Sequence, residues 1–192
     1  MTPRPQSPGK IRIIGGRWRG RRIEVVPVPG LRPTPDRVRE TLFNWLAPII
    51  EGARCLDCFA GTGALAFEAL SRGAGHCVMV EQNPACADQL RAQAQRLGAA
   101  GAEVHCGEVR QWLVANPRLF DVIFLDPPFD SNLAAETCVL LANGRNLAPA
   151  GLLYVETTPG WVPPEDHFLV RKQGRAGQVQ YMLLAANTGG PA

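Results

Sequence analysis

The stretch CLDCFAGTGALAFEAL, residues 55–70, runs from an apolar segment through a glycine-rich turn into a second apolar segment. A strand, a tight turn and a helix in that order open an α/β sheet. They place Asp57, Gly61 and Gly63 at the carboxyl edge of the first strand, where open sheets bind ligands. The spacing Gly61-x-Gly63-x-x-Ala66 matches a dinucleotide fingerprint, and Glu81 closes the next apolar run, where it can accept both hydroxyls of a ribose. A nucleoside ligand is expected on either of two readings, a nicotinamide dinucleotide or a nucleoside bearing methionine. A carboxylate at Asp57 would repel a pyrophosphate, whereas it would attract the ammonium group of a methionine moiety.

Strand and helix patterns alternate from residue 53 onward, the rhythm of a parallel sheet covered by helices on both faces. Strands are expected at 54–59, 76–81, 103–105, 120–126 and 152–156, with helices at 64–72, 84–97, 109–115 and 133–141. Gly73 and Gly98 stop the first two helices, Asn83 caps the second, and Ser131 or Asn132 caps the last. HFLVRKQ and QVQYMLLAA flank Gly174-Arg175-Ala176-Gly177 and read as a β-hairpin. Ahead of the sheet, the spacing of Val38, Leu42, Trp45, Leu46 and Ile49 predicts an amphipathic helix over 35–50, with Thr34 as its cap. KIRIIGGRWRGRRIEVV alternates apolar and basic residues around glycines, the pattern of a small twisted β appendage. The chain is thus divided into a basic β-hairpin extension at 1–33, an α/β domain at 34–186 and a short tail at 187–192.

A second chemical signal is FDVIFLDPPFD, an apolar strand ending in Asp126-Pro127-Pro128-Phe129. The lone pair of an exocyclic base amine is delocalised into the ring, so methylating it requires acceptors for both amine hydrogens that turn the nitrogen toward the methyl donor. The Asp126 carboxylate and the Pro127 carbonyl can be those acceptors. Two successive prolines stiffen the turn and leave that carbonyl without a helix partner, and Phe129 offers a face on which a base can stack.

Charge is divided unevenly. Residues 1–39 hold ten of the 20 Lys and Arg against two acids, a net +8, and the remainder carries ten against fifteen, a net −5. A basic arm on an acidic body suits a polyanion held by phosphate contacts. In Arg17-Trp18-Arg19-Gly20-Arg21-Arg22 an aromatic residue interleaves with basic ones as on RNA-stacking surfaces. The six cysteines lie scattered through apolar runs and read as buried, reduced thiols of a cytoplasmic protein. Cys55-x-x-Cys58 lacks a second ligand pair, so no metal is expected. No apolar stretch approaches the roughly eighteen residues of a membrane span.

Taken together, IRIIGGRWRGRRI, LRPTPDRVRETLFNWL, CLDCFAGTGALAFEALSRGA, DVIFLDPPF, LLYVE and AGQVQY resemble the RsmD-type small-subunit rRNA guanine-N2 methyltransferases of bacteria, from about Lys10 to Ala185. The resemblance implies a Rossmann-like class I methyltransferase fold, with a seven-stranded sheet whose last hairpin supplies the antiparallel strand, and an N-terminal β-hairpin extension that grips RNA. It implies S-adenosylmethionine as cofactor. Asp57, Phe59, Ala60, Gly61 and Gly63 would hold its methionine part, Glu81 its ribose, and Glu108 and Val109 its adenine, with Gln82 a further cofactor contact and Glu108 standing where family members usually carry Asp or Asn. Asp126, Pro127, Pro128 and Phe129 would be catalytic, and Arg12, Arg17, Trp18, Arg19, Arg21, Arg22 and Arg32 would contact RNA. The implied partner is ribosomal RNA in an assembling small subunit, bound by a monomer. Adenine N6, a glutamine amide, a dinucleotide-dependent oxidoreduction and a catalytically silent RNA-binding factor are the alternatives; the basic arm disfavours the glutamine and the intact Asp-Pro-Pro-Phe disfavours the last.

Overall fold

The computed structural model describes residues 9–26, 34–128, 131–144 and 146–187. Arg32 and Phe129 lie outside the described residues. A two-stranded antiparallel sheet, β1 (Lys10–Arg12) and β2 (Arg22–Glu24), precedes a seven-stranded sheet. The strands of the large sheet are β3 (Arg54–Asp57), β4 (His76–Glu81), β5 (Ala102–Cys106), β6 (Phe120–Leu125), β7 (Leu147–Thr157), β8 (Phe168–Ala176) and β9 (Val179–Ala186), in the order β5-β4-β3-β6-β7-β9-β8. Strands β3 to β7 pair in parallel, and β9 runs antiparallel between β7 and β8. The expected sheet, including its antiparallel last hairpin, is present.

The pleat explains how two helical layers form. Cys55, Cys77, Met79, Val122 and Phe124 point to one face, against α1 (Asp36–Leu46), α2 (Ala64–Ser71) and α3 (Pro84–Leu97). Their neighbours Leu56, Val78, Val80, Ile123 and Leu125 point to the other, against α4 (Val109–Ala115) and α5 (Leu133–Asn143). Strands buried on both faces read as continuous apolar runs, and these do. Asn83 caps α3 by accepting from the N–H groups of Ala85 and Cys86, and Gly98 ends that helix in the left-handed conformation, as the spacing predicts.

Five expectations need correction. Thr34 does not cap α1: the cap position is Pro35, without a side-chain bond, and the Thr34 hydroxyl turns inward toward two carboxylates. The helix stops at Leu46 and continues as turns, because Pro48 has no N–H to extend the ladder, although Ala47 before it still holds helical dihedrals. Strand β7 begins at Leu147, with a register shift opposite Phe120 to Val122. Cys106 is exposed at the end of edge strand β5, while the other five cysteines are buried, free thiols.

Trp18 is the fifth. It is 6% exposed and packs into the core shared by α1 and α2, under the Arg17 guanidinium 4.2 Å from its ring centroid. Its backbone N–H donates to Ser71 Oγ, and Ser71 in turn donates to the Gly15 carbonyl. A ring in that position has no face free for an RNA base. Nearby, Glu68 accepts from the N–H groups of Ile14 and Gly15 and pairs with Arg39 and Arg72, so the hairpin is bolted onto α2. Arg39 is fully buried between Glu68 and Asp36 and therefore belongs to the core rather than to the basic arm.

Candidate active site

Strand order reverses between β3 and β6, so their carboxyl ends lie side by side with no connection filling the gap between them. A cavity of about 780 Å³ opens there. One wall is the β3–α2 turn. Gly63, with φ of 77°, is buried beneath the cavity surface, and a Cβ there would stand 2.6 Å from Leu90 and Phe67, so the turn closes only on glycine. Gly61, with φ of 51°, lies on the surface and exposes its backbone to a ligand.

Asp57 ends β3 and is 2% exposed. Its Oδ1 has no hydrogen-bond partner among the described residues, and the nearby backbone N–H groups of Phe59 and Ala66 only ease the burial of the carboxylate. Burial pushes its pKa up to about 7; the two backbone donors oppose this, and the charges on Glu81 and Glu156 add to it. An enclosed carboxylate oxygen without a donor fits a cationic group such as the ammonium of a methionine moiety. Glu81 ends β4. Its Oε2 accepts from the Gly61 N–H and its Oε1 from the Asn83 N–H, both at 2.7 Å, which fixes the carboxylate and leaves lone pairs for two ribose hydroxyls. Phe59, Ala60 and Gln82 line the same cavity. Glu108 and Val109 line its far side, where Glu108 is already committed: it caps α4 through the Gln111 N–H and receives Arg110. The backbone of Val109 also borders the cavity at that end.

The opposite wall follows β6. Asp126, Pro127 and Pro128 line it. The Pro127 carbonyl and Asp126 Oδ1 make no hydrogen bond with a described residue, while the Pro128 carbonyl is taken by the Ser131 hydroxyl at 2.6 Å. Sequence reasoning missed two members of this wall. Thr34 donates to Glu156 Oε1 at 2.9 Å and stands 3.4 Å from Asp126 Oδ2, and the Tyr154 hydroxyl also donates to Glu156 Oε1 at 2.9 Å. Glu156, in β7, is 2% exposed. Burial, followed by the charges of Glu156 and Asp57, holds the Asp126 carboxyl well above the usual range, and burial raises Glu156 as well. The signal for both lay in LRPT and LLYVE, which pattern alone reads as a helix cap and a strand end.

Arg12, Arg17, Arg19, Arg21 and Arg22 are exposed on the hairpin, outside the cavity. Lys10, Arg12 and Arg22 flank a smaller groove of about 410 Å³ whose Thr34–Pro35 wall is shared with the main cavity, so the basic arm adjoins the site. No group of three or more metal-ligating side chains occurs among the described residues.

Known proteins resemble this chain along almost its whole length. The chain is 45% identical over 183 residues to the Ribosomal RNA small subunit methyltransferase D of Escherichia coli K12, covering 94% of this chain and 92% of that protein. It is 45% identical over 185 residues to the Haemophilus influenzae protein of the same name, covering 93% and 95%. The solved yhhF structure from Escherichia coli superposes with a TM-score of 0.83 at 46% identity, covering 93% of this chain and 98% of that one. The family described as Conserved hypothetical protein 95 matches residues 11–185. With that match and those relatives spanning almost its whole length, the chain belongs to this family, the RsmD-type proteins that its motifs resemble.

Proposed function

We propose that this protein transfers a methyl group from S-adenosylmethionine to the exocyclic N2 amine of a guanine in small-subunit ribosomal RNA, within an assembling subunit. The observation that carries the reading is a pair of acceptors at the end of β6, Asp126 Oδ1 and the Pro127 carbonyl, without a partner among the described residues, in one cavity with Asp57 Oδ1, which likewise has none among them. Asp57, the Gly61 turn, Glu81 and the Val109 backbone would hold the cofactor, which supplies an activated methyl on a sulfonium. The two β6 acceptors take one amine hydrogen each and aim the nitrogen lone pair along the cavity. Orientation of this kind is worth up to ~7 to 11 kcal/mol in favourable cases. Nitrogen loses a proton on methylation, and the Asp126 carboxylate, held above its usual range, is placed to take it.

The exposed arginines of the hairpin would hold phosphates beside the mouth of the cavity. The test is incubation with labelled cofactor and small subunits, or their naked RNA, from cells lacking the enzyme, followed by mapping of the label. Label at guanine N2, stronger on subunits than on naked RNA, is expected. Label on adenine or on protein would overturn the reading.

A further inference from the structure

A pair of acids at the end of β6 and β7 is more than the amine requires. One carboxylate and one carbonyl already suffice for two amine hydrogens, yet Glu156 also lines the cavity while 2% exposed. Its two oxygens are used unequally. Oε1 receives both the Thr34 and the Tyr154 hydroxyls at 2.9 Å, and Oε2 makes no hydrogen bond with a described residue. Two donors on one oxygen pin the carboxylate and leave the other as an acceptor facing the space beside Asp126, with which it shares the Thr34 hydroxyl. An acceptor so buried is costly unless a ligand brings it a donor.

Base chemistry identifies the donor. In adenine and cytosine the ring nitrogen next to the exocyclic amine is a bare acceptor, which would face the Glu156 lone pairs and be repelled. Guanine carries N1–H beside its N2 amine, so its edge offers three contiguous N–H donors. Resting on the guanine-N2 reading above, we infer that Glu156 selects the target base, its Oε2 accepting N1–H while Asp126 Oδ1 and the Pro127 carbonyl accept the two N2 hydrogens. Thr34 is a positioning residue that sets the spacing of the two carboxylates. The same donors favour the charged forms of both acids, offsetting the cost of burying them together.

The experiment compares small-subunit RNA carrying either guanosine or 2-aminopurine at the methylated position. 2-Aminopurine keeps the N2 amine but presents N1 as an acceptor. Wild-type enzyme should methylate guanosine about 10- to 100-fold faster, the range expected for a lost charged hydrogen bond. In Glu156→Gln the Thr34 and Tyr154 hydroxyls hold the amide oxygen and turn the NH2 toward the base, where it opposes N1–H and donates to a bare N1. The guanosine preference should then collapse toward one or invert, with S-adenosylhomocysteine affinity retained. Any effect of the missing O6 is common to both enzymes and cancels in the ratio. Glu156→Asp, which withdraws the acceptor by one methylene, should also lower the preference, and it decides the matter if the Gln variant does not fold. An unchanged preference in a folded variant overturns the role of Glu156, whereas wild-type enzyme that leaves guanosine unmethylated overturns the guanine reading itself.

Discussion

On the proposed function, Asp126 is the residue on which the chemistry turns. Asp126→Ala removes one of the two acceptors on the amine while Pro127 stays in place, so RNA and cofactor binding should survive. A charged hydrogen bond is worth about 1.5 to 3 kcal/mol and misorientation adds to its loss, so single-turnover methyl transfer should fall at least ~10- to 100-fold. Asp126→Asn should be milder, because the amide oxygen still accepts one hydrogen bond. Transfer at the wild-type rate in Asp126→Ala would remove the amine-orienting role. Asp57 makes the opposite demand on the fold. Its folded pKa, about 7, lies above the ordinary carboxylate value of 3.8, so its contribution to stability is complete at low pH and lost as pH rises through 7. The loss in the empty protein is about 4 kcal/mol at most. Asp57→Asn should therefore raise the melting temperature at pH 8 by several degrees and change it little at pH 4, while S-adenosylhomocysteine affinity drops at least ~10-fold. Calorimetry at the two pH values, with a cofactor titration, checks both halves.

At the level of elements, the decisive junction is between the N-terminal hairpin and α2. Glu68 is fully buried and serves two backbone N–H groups and two arginines. Removing it leaves the buried Arg39 with the half-exposed Asp36 as its acidic partner and the Arg12 carbonyl as an acceptor, and the hairpin keeps its Ser71 bonds but loses those of Ile14 and Gly15. Breaking a buried ion pair from one side costs about 3 to 5 kcal/mol, so Glu68→Ala should lower the urea midpoint sharply and open the 9–26 segment to proteolysis. Asp36→Ala, on the surface side of the same arginine, should cost far less. If the two variants unfold at the same urea concentration, the hairpin is not anchored through Glu68.

Across the whole molecule, charge and shape combine. The acidic remainder of the chain would repel RNA, and Lys10, Arg12 and Arg22 of the hairpin flank a groove that shares a wall with the main cavity, so on the proposed function RNA would be drawn to that side. Replacing Arg12, Arg19, Arg21 and Arg22 together by Gln should weaken binding to any RNA sequence and flatten its salt dependence by roughly 0.7 in log–log slope for each phosphate no longer neutralised. Cofactor affinity should stay constant, because none of these side chains lines the main cavity. An unaltered salt slope would show that the arginines are only a solvated face.

What the sequence determined alone is whatever depends on local spacing. The glycine turn after β3, the continuous apolar runs of β3, β4 and β6, the Asn83 cap, the final hairpin and the Asp-Pro-Pro turn all follow from residues within a few positions of one another. That Asp57, Gly61 and Glu81 line one wall of the cavity was legible for the same reason, since they sit at or just after strand ends that periodicity locates. Tertiary structure decided what depends on residues far apart in the chain. Thr34 carries the signature of a helix cap, yet it bonds Glu156, 122 positions away, because α1 packs onto the sheet, Phe43 against Phe124 of β6 and Trp45 against Tyr181 of β9. Trp18 and Arg39 sit among exposed arginines in sequence but are buried against α2, since the hairpin folds back onto Glu68 and Ser71. A side chain's surroundings are set by which elements pack on it, and that packing is where a strand-end glutamate became part of the cavity wall beside Asp126.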